Sequence, residues 1–233
     1  MKISRFVIFP CLLFSFQAFS QLVIGWSGAY MNPKELNREI HVYDKLNGSG
    51  LTKQMQNVHW CQGLVVGLQK GNDDFFGEIT YNRKTCIVAS QFDSAGIGMK
   101  RQMKVQSNSF NFGVGRRSNG FVYGASLDFG KDKGKGRRGQ SSGIKKEKWN
   151  RLWTQDSNFL IQLQPGMTFY VGYQKKVFGI RIFYQWEFVK GLMDGLDHWM
   201  FGYPLNGTPA LPVGQETKFS NAGIALTISL GKN

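Results

Sequence analysis

The chain has 233 residues, 42% of them hydrophobic and 19% charged, with 29 glycines, 6 prolines and a formal net charge of +14. That is enough for one good-sized domain or two small ones, and the apolar content excludes a wholly disordered chain. Glycine near one residue in eight, with 14% aromatics, favours strands and tight turns over long helices.

Residues 1–5 form a short basic start and residues 6–19 are almost entirely apolar. Ala18 and Ser20 put small residues at the −3 and −1 positions of a cleavage site before Gln21, so residues 1–20 read as a secretory signal peptide. Its removal takes away Lys2 and Arg5 and lowers +14 to +12. A membrane anchor is the alternative, but the run is shorter than about 18 residues and Pro10 interrupts it. Ile8, Phe9 and Pro10 lack the small residues a lipoprotein site at Cys11 needs. Beyond Gln21 no apolar run is long enough for a spanning helix. Residues 21–233 are therefore expected to be a single domain, either soluble and secreted or a closed barrel in a membrane.

Alternation of period two marks eight strands in chain order. In residues 22–30, Leu22, Ile24, Trp26 and Tyr30 oppose Val23, Gly25, Ser27 and Ala29. A helix follows in the first long connection. Asn32 reads as an N-cap, Pro33 as the first helical position and Glu35 as a first-turn carboxylate. Leu36, Ile40 and Tyr43 line one face and Asn47-Gly48 closes it. This helix either seals the barrel mouth or serves as a binding lid. Residues 60–69 and 75–84 are the next strands, the second with Ile79 and Tyr81 opposite Glu78, Thr80 and Asn82. In residues 104–116 Phe110, Phe112 and Val114 share a face. The first half is polar on both faces and is expected to project beyond the lipid. Residues 121–130, 161–174, 177–189 and 221–230 complete the set, with Phe183 as an apolar exception on a polar face.

Short turns at residues 70–73, 117–120 and 175–176 alternate with long connections at 31–59, 85–103, 131–160 and 190–216. A two-residue turn at Gly71-Asn72 pairs Lys70 with Asp73 and switches the polar face from odd to even numbers, as observed. A soluble sandwich also alternates. The asymmetry of the loops and the glycine-rich polar face favour a narrow membrane barrel.

The export signal, the eight alternating strands and the alternating last strand resemble the small outer-membrane β-barrel proteins of Gram-negative bacteria. The resemblance covers residues 21–233 as architecture. It implies an all-β, eight-stranded antiparallel up-and-down barrel with four long extracellular loops. Many such barrels end on an aromatic residue, whereas this sequence reads Leu230-Gly231-Lys232-Asn233.

Function is then sought in the loops and lumen. Lys131, Lys133, Lys135, Arg137, Arg138, Lys145, Lys146 and Lys148 against Asp132 and Glu147 give a net +6 over residues 131–148. In the outer leaflet that run suits lipopolysaccharide phosphates; a merely solvated loop or contact with another polyanion are the alternatives. The export signal argues against nucleic acid despite a pI near 9.8. Glu78, Asp128, Arg181 and Glu187 fall on the inner face, where Arg181 is expected to pair with a carboxylate and plug the lumen; a narrow pore is the alternative. His41, His59 and His198 match no metal spacing, and no cofactor is expected. Asp194, Asp197 and His198 leave a lipid A-modifying or proteolytic enzyme as a minor alternative. An oxidising compartment invites a disulfide between Cys61 and Cys86. The Gly71-Asn72 turn instead separates them by about 13 Å, which favours free thiols unless a bulge intervenes. The principal reading is a non-enzymatic outer-membrane barrel with a structural or interaction role, and outer-membrane lipids and lipopolysaccharide as partners.

Overall fold

Eight strands close into a ring in the computed structural model, which describes residues 21–153, 164–193, 196–201 and 216–231. Residues 1–20, expected as the signal segment, lie outside the described residues. The barrel strands are β1 (Gln21–Met31), β2 (Trp60–Gly71), β3 (Phe75–Ser94), β4 (Ile97–Ser118), β5 (Phe121–Gln140), β6 (Gln164–Lys175), β7 (Phe178–Glu187) and β8 (Asn221–Leu230). Every neighbouring pair is antiparallel, and β1 pairs with both β2 and β8. The fold is an eight-stranded up-and-down barrel. Closure excludes the sandwich.

Closure also sets the tilt. Successive paired residues run from Gln21 through Gln69, Glu78, Gly113, Ser126, Thr168, Gln185 and Asn221 to Met31. The path returns to β1 ten residues beyond its start, from 21 to 31. With a rise of about 3.3 Å per residue and about 4.8 Å between strands, the strands lean roughly 40° from the barrel axis.

Three turns close the lower end. Asn119 and Gly120, at φ 50° and 84°, form a two-residue turn between Ser118 and Phe121. Both central residues need positive φ, which asparagine and glycine tolerate best. The β6–β7 turn is Lys176-Val177, one residue later than expected. The β2–β3 turn is displaced further. Gly71 pairs with Phe76, and the Asn72 side chain accepts from the Asp74 and Phe75 N–H groups at 3.0 and 2.7 Å. The chain thus turns two residues beyond Gly71-Asn72. Because the displacement is even, the parity of the faces survives it.

That displacement corrects the cysteine expectation. In the observed register Cys61 and Cys86 stand opposite each other, with Cα atoms 4.5 Å apart, and they form a disulfide.

One of the expected long loops, and the first part of another, are sheet. Residues 85–103 are the upper parts of β3 and β4, joined by Ala95-Gly96 at φ 52° and 78°. The basic run from Lys131 to Arg138 continues β5, which pairs with β4 up to Met99–Gln140. These strands of 20, 22 and 20 residues are about twice what a tilted span requires. Their upper halves stand above the barrel, edged by two short strands, Leu51–Lys53 against β3 and Asn150–Trp153 against β5.

The alternation inverts along these strands. In the lower halves Ile79, Phe110, Phe112 and Leu127 face outward and are at least 40% exposed, while Glu78, Thr80, Asn111 and Asp128 are buried inside. In the upper halves the buried positions include Cys86, Val88, Met103 and Val105, beside Ser90 and Arg101, and Arg83, Lys104, Lys133 and Lys135 face out. An apolar core covers the mouth.

Helix α1 (Lys34–Asn47) supplies Leu36, Ile40 and Tyr43 to that core, with Met31, Val58, Leu196 and Phe219. Its start differs from the expected cap. Pro33 occupies the N-cap position without a side-chain cap bond, and the Asn32 side chain accepts from the Asn37 amide at 3.0 Å. The Asn37 amide oxygen in turn accepts from the Val58 N–H at 2.8 Å, fixing the helix to the approach of β2. A second helix, α2 (Leu196–Phe201), adds Leu196 and Met200 to the same core.

Candidate functional site

The lumen is filled in tiers. In the lowest, the Arg181 guanidinium of β7 donates to both carboxylate oxygens of Glu78 on β3, at 3.0 and 2.8 Å. Arg181 lies 4.6 Å over the Tyr170 ring, and Arg117 lies 4.8 Å over Phe76 while donating to Gln69. Gln69 reaches Glu78 at 3.4 Å, so the two arginines, the glutamine and the carboxylate form one network.

In the middle tier Asp128 accepts from Asn111 at 2.7 Å, Ser126 at 2.8 Å and Thr168. It is held by neutral donors and not by Arg181. In the upper tier the buried Lys84 donates to Asn221 at 2.6 Å and Gln185 at 2.9 Å, with its ammonium 4.9 Å over the Phe183 ring. Phe183, the apolar exception on the inward face of β7, thus faces a cation. Glu187 accepts from the Phe219 N–H at 2.7 Å and pins the last connection to the rim. Gln164, in the amide orientation that satisfies both ends, donates to Asp132 at 2.6 Å and accepts from the Gly191 N–H at 3.1 Å. A cavity of about 50 Å³ remains, bordered by Lys84, Glu78, Arg181 and Asn111. That is more than the roughly 10–15 Å³ a single water needs, so water can enter it.

Of the four lumen charges singled out in the sequence, Glu78 and Arg181 are in contact, while Asp128 and Glu187 lie higher on separate partners. Lys84, Arg117 and Asp132 were missed. Parity was the available signal, because Lys84 continues the even series of β3 and Asp132 that of β5. Asp132 falls where the sequence predicts a loop, and Lys84 at the end of a predicted strand.

The basic residues lie on the opposite surface. Lys131, Lys133, Lys135 and Arg137 point outward from β5, and Arg138 lies opposite Arg101. Lys145 and Lys146 are exposed on a one-turn 3-10 helix, Ile144–Lys146. The register adds Arg83 of β3 and Lys104 of β4 to this face. Lys104 stands directly opposite Lys135, and Trp149 packs beneath Lys104 at 5.1 Å and Arg137 at 4.3 Å. Partial burial lowers the Lys104 pKa from its ordinary value, and Lys135, Arg83 and Arg137 lower it further.

His59 stacks on Tyr30 at 5.2 Å, and His41 lies on α1. Asp197 and His198 belong to α2, and Asp194 lies outside the described residues. Among the described residues no group of three His, Cys, Asp or Glu side chains is placed to hold a metal.

An outward apolar belt, a closed ring of eight strands with a shear of ten, and a polar filled lumen define the class: a membrane-spanning β-barrel of the small, up-and-down kind. Among solved structures the chain is similar to Ail, the attachment invasion locus protein of Yersinia pestis, in a complex with the heparin analogue sucrose octasulfate. The similarity is 10% in sequence and 0.42 in TM-score, over 90% of this chain and 95% of that one. No protein-family model matches the sequence, and no curated protein matches it.

Proposed function

We propose that this chain is an outer-membrane β-barrel, exported on a cleaved signal segment, that works as a structural or interaction protein and neither as a channel nor as an enzyme. The filled lumen carries this reading. Arg181 and Glu78 are within 2.8 Å of each other inside it, and a cavity of about 50 Å³ beside them is bordered by side chains tied to one another. A conducting pore needs a continuous aqueous path, which the tiers at Glu78, Asp128 and Lys84 interrupt. The apolar core over the mouth adds a second closure, so contact with the surroundings falls to the outer surface of the projecting sheet and its connections.

Planar-bilayer recording of the refolded barrel tests this. Folded protein, identified by its heat-modifiable migration on gels, is expected to leave the membrane silent. Unitary current steps that scale with salt concentration would establish a pore and overturn the reading.

A further inference from the structure

We propose that the outward face of β3, β4 and β5 is a binding site for a phosphorylated, multiply acylated lipid of the outer leaflet. This rests on the reading of the chain as an outer-membrane barrel. The basic run lies on a sheet, and the surface it forms has two parts.

The first part is cationic. Arg83, Asn108 and Lys131 are successive partners in one row across the three strands, immediately above the row Tyr81, Phe110 and Phe129. Elsewhere on the ring the upper border carries Tyr30, Trp60, Trp186 and Phe188, each at least 45% exposed. The polar border thus replaces the aromatic one on this side, where a phosphate headgroup would meet it. Above it the rows continue with Thr85, Gln106 and Lys133, then Ile87, Lys104 and Lys135. The outward positions from Arg83 to Gln91, Lys100 to Asn108 and Lys131 to Arg137 include no acid. Lys104 facing Lys135 across adjacent strands is a repulsive pair, which costs stability in a sheet unless an anion sits between the charges. Amide side chains interleave with the cations: Gln102 accepts from Arg137 at 2.8 Å, Gln106 donates to Asn108 at 2.8 Å and Asn108 to the Lys131 carbonyl at 3.2 Å, and each amide nitrogen carries a second N–H that can donate to a phosphate oxygen.

The second part is apolar and lies on the same strands. A hollow of about 800 Å³ opens on the lipid-facing surface over Gly77 and Ala125, walled by Ile79, Phe112, Leu127 and Met167. Gly77 and Ala125 are small where their neighbours are large, and both are partners of Val114. From Ala125, on the floor of the hollow, to Lys131 is six residues, about 20 Å along β5 or about 15 Å along the membrane normal at the roughly 40° tilt, the depth of one leaflet of a hydrocarbon core about 30 Å thick. A headgroup phosphate on the cations therefore lets an acyl chain of the same molecule enter the hollow. Soluble anions engage only the first part.

The test uses R83Q/K104Q/K135Q beside a charge-matched control at the short-turn end, R116Q/K175Q/K176Q, none of whose residues lines the hollow. Both are refolded into phosphatidylcholine vesicles containing bis-phosphorylated hexa-acyl lipid A, and retained lipid A is counted by mass spectrometry after mild detergent extraction. Heat-modifiable migration and an intact Cys61–Cys86 bond certify folding. The face variant is expected to retain lipid A about tenfold less well, with the control unchanged and the wild-type difference shrinking as salt rises. Equal loss in both variants, or none, overturns the proposal. Equal retention of dephosphorylated lipid A removes the cationic part. Equally tight binding of the deacylated disaccharide bisphosphate removes the acyl part and makes the face a soluble-anion site. Bilayer conductance is read on the same preparations, so current from wild type strikes the plugged-barrel reading and leaves the lipid result to stand on its own.

Discussion

The lower and upper halves of β3 and β4 use the same period of two with opposite contents. Below Lys84 the enclosed side is polar and the outer side apolar; above it the enclosed side holds Cys86, Val88, Met103 and Val105 and the outer side is basic. Lipid is the apolar phase outside the lower half, so polar side chains collect within and must satisfy one another. Water surrounds the upper half, so its apolar residues collect within, against α1 and the last connection. One strand thus crosses from a membrane protein into a water-soluble one, and Lys84, with its partners Gln185 and Asn221, marks the crossing.

The comparison breaks most severely where charge pairing inside the lower half is disturbed. Arg181→Ala leaves Glu78 buried without its cation and is expected to cost about 3–5 kcal/mol. Urea unfolding in vesicles measures this, and adding Glu78→Leu should recover most of the loss. Next is Phe112→Arg, a charge placed on the lipid side of the belt, at about 2–4 kcal/mol. The same readout applies, and an undisturbed midpoint would mean that Phe112 does not face hydrocarbon. Removing the Cys61–Cys86 bond, by reduction or by the paired change to serine, acts at the junction of the halves. The linked positions are 25 residues apart. Loop-closure entropy puts the effect at about 3 kcal/mol or less, because the β2–β3 hairpin already restrains the same loop.

Met103→Ala sharpens the comparison, since Met103 is fully buried in the upper core. It is expected to cost about 2 kcal/mol locally. Limited proteolysis and hydrogen exchange of the upper strands should report the loss, while heat-modifiable migration of the lower barrel stays unchanged. If both halves loosen together, they are one cooperative unit. The smallest effect is expected for Gly120→Ala at the short-turn end, where φ is 84° and an added Cβ would lie 2.6 Å from the Tyr173 ring. About 1 kcal/mol is expected, seen only as a shifted unfolding midpoint.

Much of this was legible in the sequence. Outward and inward faces of all eight strands followed from alternation, as did the Asn119-Gly120 turn and the helix carrying Leu36, Ile40 and Tyr43. The upper sheet was not legible as sheet, because residues 85–103 and 131–140 alternate in the opposite sense from the strands they continue. A reading set for apolar residues outside finds none at Lys100 or Lys133 and takes a loop there. The inward apolar series Cys86, Val88, Met103 and Val105 was the signal that could have revealed it. In the lumen, Arg181 near a carboxylate was expected from burial alone. Which carboxylate was set by tilt, since Arg181 and Glu78 are neither sequence neighbours nor on adjacent strands.

What the sequence by itself determined is therefore everything that depends on period two: which residues face lipid and which face the lumen, and where positive φ permits the chain to reverse. Register lay beyond it, because displacing a strand pair by an even number of residues returns every side chain to its own face. The four-residue difference in partner between the Gly71-Asn72 turn and the observed one leaves both faces intact, yet it decides whether Cys61 meets Asn82 or Cys86. Closure of the ring selected among those registers, since the shear that joins β1 to β8 must be shared by all eight pairs at once. The upper core likewise formed only when Met31, Leu36, Met103 and Phe219, far apart along the chain, found one apolar space that no local pattern specifies.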